Sequence, residues 1–292
     1  MLRNFEVNKS DDNVRADVFV AKHFPAFSRS SLRKLFSEGM VLQNQSKLKV
    51  GERLRSGDAV SVNDDLITNE VRVIELPIIY EDKDVIVVNK PAGVLTHSKG
   101  AINIEATVAS FIQGKINDKK LTGNRAGVVH RLDRPTSGLI ICAKNSKALI
   151  YLQKQFSSRK VKKTYMAIVE GVPQQKEAII DAPIGRSPTK PQSFKVLSGG
   201  KSAQTEYHLV DSFGRSGKTF SILELRPVTG RTHQIRVHLS YIGHPVVGDN
   251  LYGHTDGPLL LHAKELELNL PSGEHKIFRS SIPRLFKEFA RT

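Results

Sequence analysis

The stretch Val128–Lys144, VVHRLDRPTSGLIICAK, decides how the rest of the chain is read. Two apolar runs, Val128-Val129 and Leu139 to Cys142, flank a polar centre holding His130, Arg131, Asp133, Arg134, Thr136 and Ser137. Apolar runs bounded by turn residues predict buried strands, and Pro135 and Gly138 punctuate the interval between them. The pattern predicts a chain that leaves a sheet, exposes an Asp between two arginines and returns to the sheet. A rigid loop holding a carboxylate among cations suits attack on, or clamping of, an anionic substrate. On charge pattern alone, a surface loop with incidental ion pairs is the stronger reading, because paired charges are often structural.

The length of 292 residues predicts one large domain plus a small one. A hydrophobic content of 39% is enough for a real core and too much for a disordered chain. No run approaches the ~18 consecutive apolar residues of a membrane span, and the start, MLRNFEVNKSDDN, has no apolar signal core. Cys142 is the only cysteine, which excludes an internal disulfide and a thiolate metal cluster. The expectation is a soluble, cytoplasmic protein without membrane contact or an obligate protein partner.

The net charge of +15 points to a polyanionic partner, most often nucleic acid. Its distribution is uneven. Residues 1–70 carry 11 Lys/Arg and 10 Asp/Glu, whereas residues 71–292 carry 33 and 19. From Arg134 to Val169 there are eight basic residues and no acid. A solubility surface mixes both signs; this one does not.

Residues 1–13 are polar and read as loose. Val14 to Phe24 reads as a short helix, with Val18, Ala21 and Phe24 at helical spacing. Ser28 is a good N-cap for a second helix that buries Leu32, Leu35 and Phe36 and closes at Gly39. Arg29, Arg33 and Lys34 gather on that helix. Short strands follow, with turns at Asn44-Gln45 and Ser56-Gly57. Residues 66–76 read as a linker. Beyond it come a strand at Val85–Val88, helices at Ile104–Ile116 and Ser146–Phe156, a strand at Thr164–Val169, and alternating short strands and turns from Gln174 to Gly217. Phe220 to Leu225 is a further strand, leading into PVTGRTHQIRVHL.

Several strings resemble one family in family order. HRLDRPTSG is similar to the HRLD signature of the pseudouridine synthases of the RluA family. YEDKDVIVVNKPAG resembles that family's opening motif, KKTYMAIVEG its second, GRTHQIR its third, and GHPVVGDNLYG with LLLHAKELEL its C-terminal pattern. The SRSSLRKLFSEGMVLQNQ…VGERLRSGDAV string resembles the small RNA-binding domain named after ribosomal protein S-four, with Gln45 where that family usually has a turn Gly and Ala16 interrupting its usual Arg-Leu-Asp.

The resemblance implies an isomerase that converts uridine in RNA to pseudouridine. It implies an α+β catalytic domain over residues 71–292, built on a mixed, mostly antiparallel sheet with a central cleft, and a small α+β S-four-like domain over residues 1–70. Asp133 would be the catalytic residue, as nucleophile or as proton acceptor. Arg231, the first arginine of GRTHQIR, would pair with it, and Tyr165 would stack on the uracil. Arg131 would fill the stack that the flipped base vacates. The remaining candidate RNA contacts are His130, Arg134, Lys90 and Lys163 on the large domain and Arg29, Arg33 and Lys34 on the small one. Large-subunit ribosomal RNA is the implied substrate, with tRNA as the second candidate. A non-catalytic RNA-binding or ribosome-assembly protein on the same fold is the competing class.

No cofactor is expected. Two strings mimic a phosphate loop, GGKS at Gly199–Ser202 and GRSGKT at Gly214–Thr219, but Lys195 and Ser212 stand where the motif requires Gly. His233 and His238 are five apart, not the i, i+4 of a helical zinc pair, and no HExxH occurs, so no metal site is expected.

Overall fold

The computed structural model describes residues 1–68, 74–98, 105–116 and 118–291. These form two compact units. One takes in residues 1–74, 97–111 and 122–126, and the other residues 75–96, 112–121 and 127–292. Part of the linker expected at 66–76, and Ile104 at the start of an expected helix, lie outside the described residues.

In the first unit, strand β1 (Leu2–Glu6) is followed by a 3-10 turn (Lys9–Asp11) and helices α1 (Ala16–His23) and α2 (Arg29–Ser37). Strands β2 (Val41–Gln43), β3 (Ser46–Lys47) and β4 (Ala59–Asn63) and helix α3 (Asp65–Thr68) complete it. The sheet runs β1-β4-β2-β3, all antiparallel. Strand β1 corrects the expectation of a loose N-terminus. Its side chains are mostly exposed, so no buried face marks it in the sequence; a full ladder from Leu2↔Asn63 to Glu6↔Ala59 holds it.

Helix α2 starts as its sequence predicts. The Ser31 N–H donates to the Ser28 hydroxyl at 3.2 Å, and the helix ends before Gly39 at φ +70°. Leu32, Leu35 and Phe36 join Phe19, Val60 and Val62 in the core of this unit. The β2–β3 turn places Asn44 at φ 47° and Gln45 at φ 69°. This is the left-handed pair that a two-residue hairpin requires, so Gln45 adopts the conformation normally given to glycine.

The second unit begins with β5 (Ile78–Glu81) and β6 (Val85–Lys90). Helix α4 (Val108–Gln113), whose residues 108–111 belong to the first unit, precedes β7 (Ser137–Ala143), α5 (Ser146–Ser157) and β8 (Lys162–Glu170). Next come β9 (Glu177–Asp181), β10 (Ile184–Arg186), β11 (Phe194–Val196), β12 (Gln204–Arg215) and β13 (Lys218–Pro227). Helix α6 (Gln234–Tyr241), β14 (Leu261–Asn269), β15 (His275–Arg279) and α7 (Arg284–Ala290) follow.

Nine of these strands form one sheet, ordered β5-β6-β7-β14-β8-β13-β12-β9, with β15 on β14. Only β7–β14 is parallel; the fold is α+β with a mixed, mostly antiparallel sheet. At that parallel junction Gly138 lies opposite Ala263 with φ +116°. A Cβ there would sit 2.3 Å from the Ala263 carbonyl oxygen, so the approach of the two strands requires glycine.

Val128-Val129 is not a strand. Val128 makes a single bridge to Cys142. Two residues on, the His130 ring rather than backbone accepts the Ile141 N–H at 3.1 Å, and the ladder stops. The phosphate-loop mimic GRSGKT is a hairpin: Ser216 and Gly217 have φ of 49° and 73° between the paired Arg215 and Lys218.

Candidate active site

The polar centre of the opening stretch is a loop fixed at several points. The Thr136 N–H donates to the Asp133 carbonyl at 3.1 Å and closes a turn. The Thr96 hydroxyl donates to the Leu132 carbonyl at 2.9 Å and accepts the Leu132 N–H at 3.2 Å. The Lys90 ammonium, fully buried, donates to the carbonyls of Pro91, Val94 and Arg134 at 3.0, 2.8 and 3.1 Å.

Lys90 is therefore no phosphate contact. It is the last residue of β6, and its stem runs inward so that all three N–H bonds end on carbonyls around the loop. Burial lowers its pKa to about 7, with the Asp133 charge opposing that shift. Arg134 is exposed, and its Nε donates to the Gly93 carbonyl at 3.0 Å.

So held, Asp133 projects into a cleft of about 560 Å³. Arg131, Lys163, Tyr165 and Arg231 also line it, as do His233 and Arg236. Asp133 Oδ2 lies 3.6 Å from Arg236 Nη1 and 3.8 Å from His233 Nε2. Arg236 is itself fixed by two 2.7 Å hydrogen bonds to Asp249, the bidentate geometry of a strong guanidinium–carboxylate pair. Both partners are almost completely buried.

The expected pairing of Arg231 with Asp133 is thus corrected. Arg231 Nε donates instead to the Ser202 carbonyl at 3.0 Å, at the rim of the cleft. The reason is local. The turn ends at His233 in the left-handed region, φ 55°, and the helix begins only at Gln234. The buried side of α6 then carries Arg236, while Arg231 stays in the turn before it. Gln234 sets that turn: its carbonyl oxygen accepts from the Thr229 hydroxyl at 2.6 Å and the Arg231 N–H at 3.0 Å.

Tyr165 stands on β8 in the cleft wall. Burial and the nearby Asp133 charge raise the pKa of its hydroxyl, which keeps it neutral. His130, expected to touch RNA, is an internal strut. Its ring stacks on Phe156 at 4.6 Å, and burial with the Lys163 charge lowers its pKa to about 3. A neutral imidazole spent on a backbone N–H offers phosphate no charge. Lys163 is half-buried in the cleft and its pKa is lowered by burial, while Arg131 is exposed at the mouth.

In the first unit, Arg29 and Arg33 do not project independently. Arg29 donates to Asp17 at 2.8 Å, Arg15 at 3.1 Å, and Arg33 lies at 4.0 Å. Asp17 is fully buried. Burial alone would raise its pKa, but hydrogen bonds from Arg15 and Arg29 outweigh that and bring it to about 2. Lys34 is half-buried on the same helix.

Arg236, His233, Asp249 and Tyr252 are the site residues that sequence reasoning missed. The available signals were the second arginine of GRTHQIR and the polar residues of GDNLYG.

The model of the RNA pseudouridylate synthase family matches residues 84–241. The chain is 35% identical over 301 residues to "Ribosomal large subunit pseudouridine synthase D" of Borreliella burgdorferi, covering 97% of this chain and 91% of that protein. It is 40% identical over 243 residues to a protein of the same name from Xylella fastidiosa, covering 82% and 71%. The solved structure of human RNA pseudouridylate synthase domain containing 1 superposes with a TM-score of 0.58 at 27% identity, covering 77% of this chain and 98% of that one. The chain belongs to the RNA pseudouridylate synthase family. It is an isomerase acting on RNA. Among the described residues, no helix is long and apolar enough to cross a membrane.

Proposed function

We propose that this chain isomerises uridines of large-subunit ribosomal RNA with Asp133 as its catalytic residue. In that reaction the N1–C1′ bond of uridine breaks and a C5–C1′ bond forms. The proton lost from C5 is balanced by one gained at N1, so no redox partner or energy source enters. The observation that carries the reading is the Asp133 carboxylate set against Arg236 and His233 in a cleft large enough for one extruded base. A base inside a helix is out of reach, so the target nucleotide is flipped. Tyr165 supplies a neutral aromatic face for the uracil, and Arg131, exposed at the cleft mouth, has the planar cation that fills a vacated stack.

The ribosomal assignment is supported by the names of the Borreliella and Xylella relatives. The small domain at residues 1–70 is the S-four-like module in this reading. Arg15, Arg29 and Arg33, gathered on one buried carboxylate, form its phosphate-binding face.

The test is tritium release from ring carbon five of labelled uridine, with ribosomal RNA and tRNA from a strain lacking the gene as separate substrates. Release from ribosomal RNA, absent with Asp133→Asn, is expected, and that variant should keep RNA affinity within about tenfold because many cations hold the phosphates. Release from tRNA alone overturns the substrate assignment. Turnover by the Asn variant above a few per cent of wild type overturns the role of Asp133.

A further inference from the structure

Both groups that approach Asp133 meet the same oxygen. Arg236 Nη1 and His233 Nε2 lie 3.6 and 3.8 Å from Oδ2. Among the described residues, no hydrogen bond to Oδ1 is found. Behind both groups stands one side chain, Tyr252. Its ring lies under the Arg236 guanidinium at 5.1 Å, and its hydroxyl sits 2.7 Å from His233 Nδ1. The same hydroxyl oxygen accepts the Phe194 N–H at 2.9 Å.

Among the described residues, His233 Nδ1 is the one acceptor within hydrogen-bond reach of the Tyr252 hydroxyl proton. The Phe194 N–H occupies one lone pair of the Tyr252 oxygen, and the Tyr252 proton has the unprotonated His233 Nδ1 as its partner. Nδ1 then accepts, and the neutral imidazole carries its proton on Nε2, facing Asp133. Burial favours this uncharged form, with Asp133 and Asp249 opposing and Arg236 and Arg131 reinforcing. His233 holds its place in the left-handed region, φ 55°, a conformation that persists in non-glycine residues where the surroundings fix it.

We propose that Tyr252 is a positioning residue for the isomerisation: its ring supports Arg236 and its hydroxyl fixes the Nε2–H tautomer of His233, so that both tether Oδ2 of Asp133 and Oδ1 is the oxygen that reacts. This rests on the reading of Asp133 as the catalytic residue. It differs from a packing role, because removing one oxygen atom from Tyr252 leaves the ring and its volume in place.

Two measurements test it on the full-length protein. The first is a long-range proton–nitrogen NMR correlation of His233 near neutral pH, assigned by comparison with His233→Gln. A neutral Nε2–H tautomer is expected in the wild type, and a mixture of tautomers in Tyr252→Phe. An Nδ1–H tautomer or an imidazolium in the wild type overturns the proposal, and neither outcome depends on turnover. The second is kinetics. Tyr252→Phe should lower kcat about tenfold with KM within about twofold, because misaligned groups act on the chemical step.

His233→Gln, which keeps an N–H near the Nε2 position, should retain several times the kcat of His233→Leu. Equal losses in those two variants, or a Tyr252→Phe enzyme at full kcat, sinks the idea. Activity in Asp133→Asn would instead overturn the reading of Asp133, while the tautomer result would still stand.

Discussion

Arg236 gives two hydrogen bonds of 2.7 Å to Asp249 and keeps Nη1 3.6 Å from Asp133. One carboxylate thus fixes the guanidinium that faces another. A charge held by a buried partner does not reorient when substrate enters, which is the preorganisation that electrostatic catalysis needs.

Arg236→Lys should therefore be severe. Lysine keeps the charge but cannot span both Asp249 oxygens and still face Asp133. A loss in kcat of about a hundredfold or more is expected. Arg231→Lys should retain kcat within about threefold, because Arg231 reaches only a carbonyl at the rim. Single-turnover rates on one RNA compare the two directly. The reverse ranking would return the first arginine of GRTHQIR to the centre of the site.

Lys90→Met should lower kcat without weakening RNA binding, since three carbonyls around the Asp133 loop lose their donor. It should also change the pH dependence of stability. The unfolded chain keeps this proton up to about 10.5, whereas the folded protein releases it near 7. Between those values the unfolded state binds more protons, so this group's contribution to stability rises with pH. Melting temperatures of wild type relative to Lys90→Met, taken from neutral to mildly alkaline pH, should climb. A flat difference would show that Lys90 titrates as an ordinary surface lysine.

Asp17→Asn should destabilise the protein by about 1–3 kcal/mol, the cost of leaving charge-assisted donors without their acceptor. The folded pKa of Asp17 lies near 2 against an ordinary 3.8. Its contribution is complete above the ordinary value and is lost as pH falls through the folded one. Denaturant unfolding should show the gap between wild type and variant narrowing from pH 4 towards about pH 2. A constant gap would point to packing rather than to the charge.

Gly138→Ala should cost well over 1 kcal/mol, because alanine meets both an unfavourable φ and a carbonyl oxygen at 2.3 Å. Calorimetry reads this directly. A change of a few tenths would mean that β7 and β14 can separate without loss.

The contrast between what the chain discloses and what it conceals follows range. The Ser28 cap, the Ser56-Gly57 turn and the strand expected at Val85–Val88 depend on neighbours a few residues away, and their residue types state them. Strand β1 depends on Ala59–Asn63 and has no apolar alternation to betray it. The place of Asp133 in the cleft was legible because its motif is contiguous. Arg236 was not, because its role depends on where α6 begins, and that is set by the left-handed His233 and by the Gln234 bonds to Thr229 and Arg231. Lys90 and His130 look like surface cations in sequence; only their burial turns them into struts.

The sheet order carries one more consequence. Strand β14 lies between β7 and β8, although it follows both in the chain by about a hundred residues. Asp133 enters from the β7 side, while Tyr165, His233 and Arg236 belong to the β8 side. During synthesis, both halves leave the ribosome before the strand that lies between them. The newborn polypeptide therefore carries Asp133, Tyr165, His233 and Arg236 before residues 261–269, the strand that joins the β7 and β8 sides into one sheet, have been made.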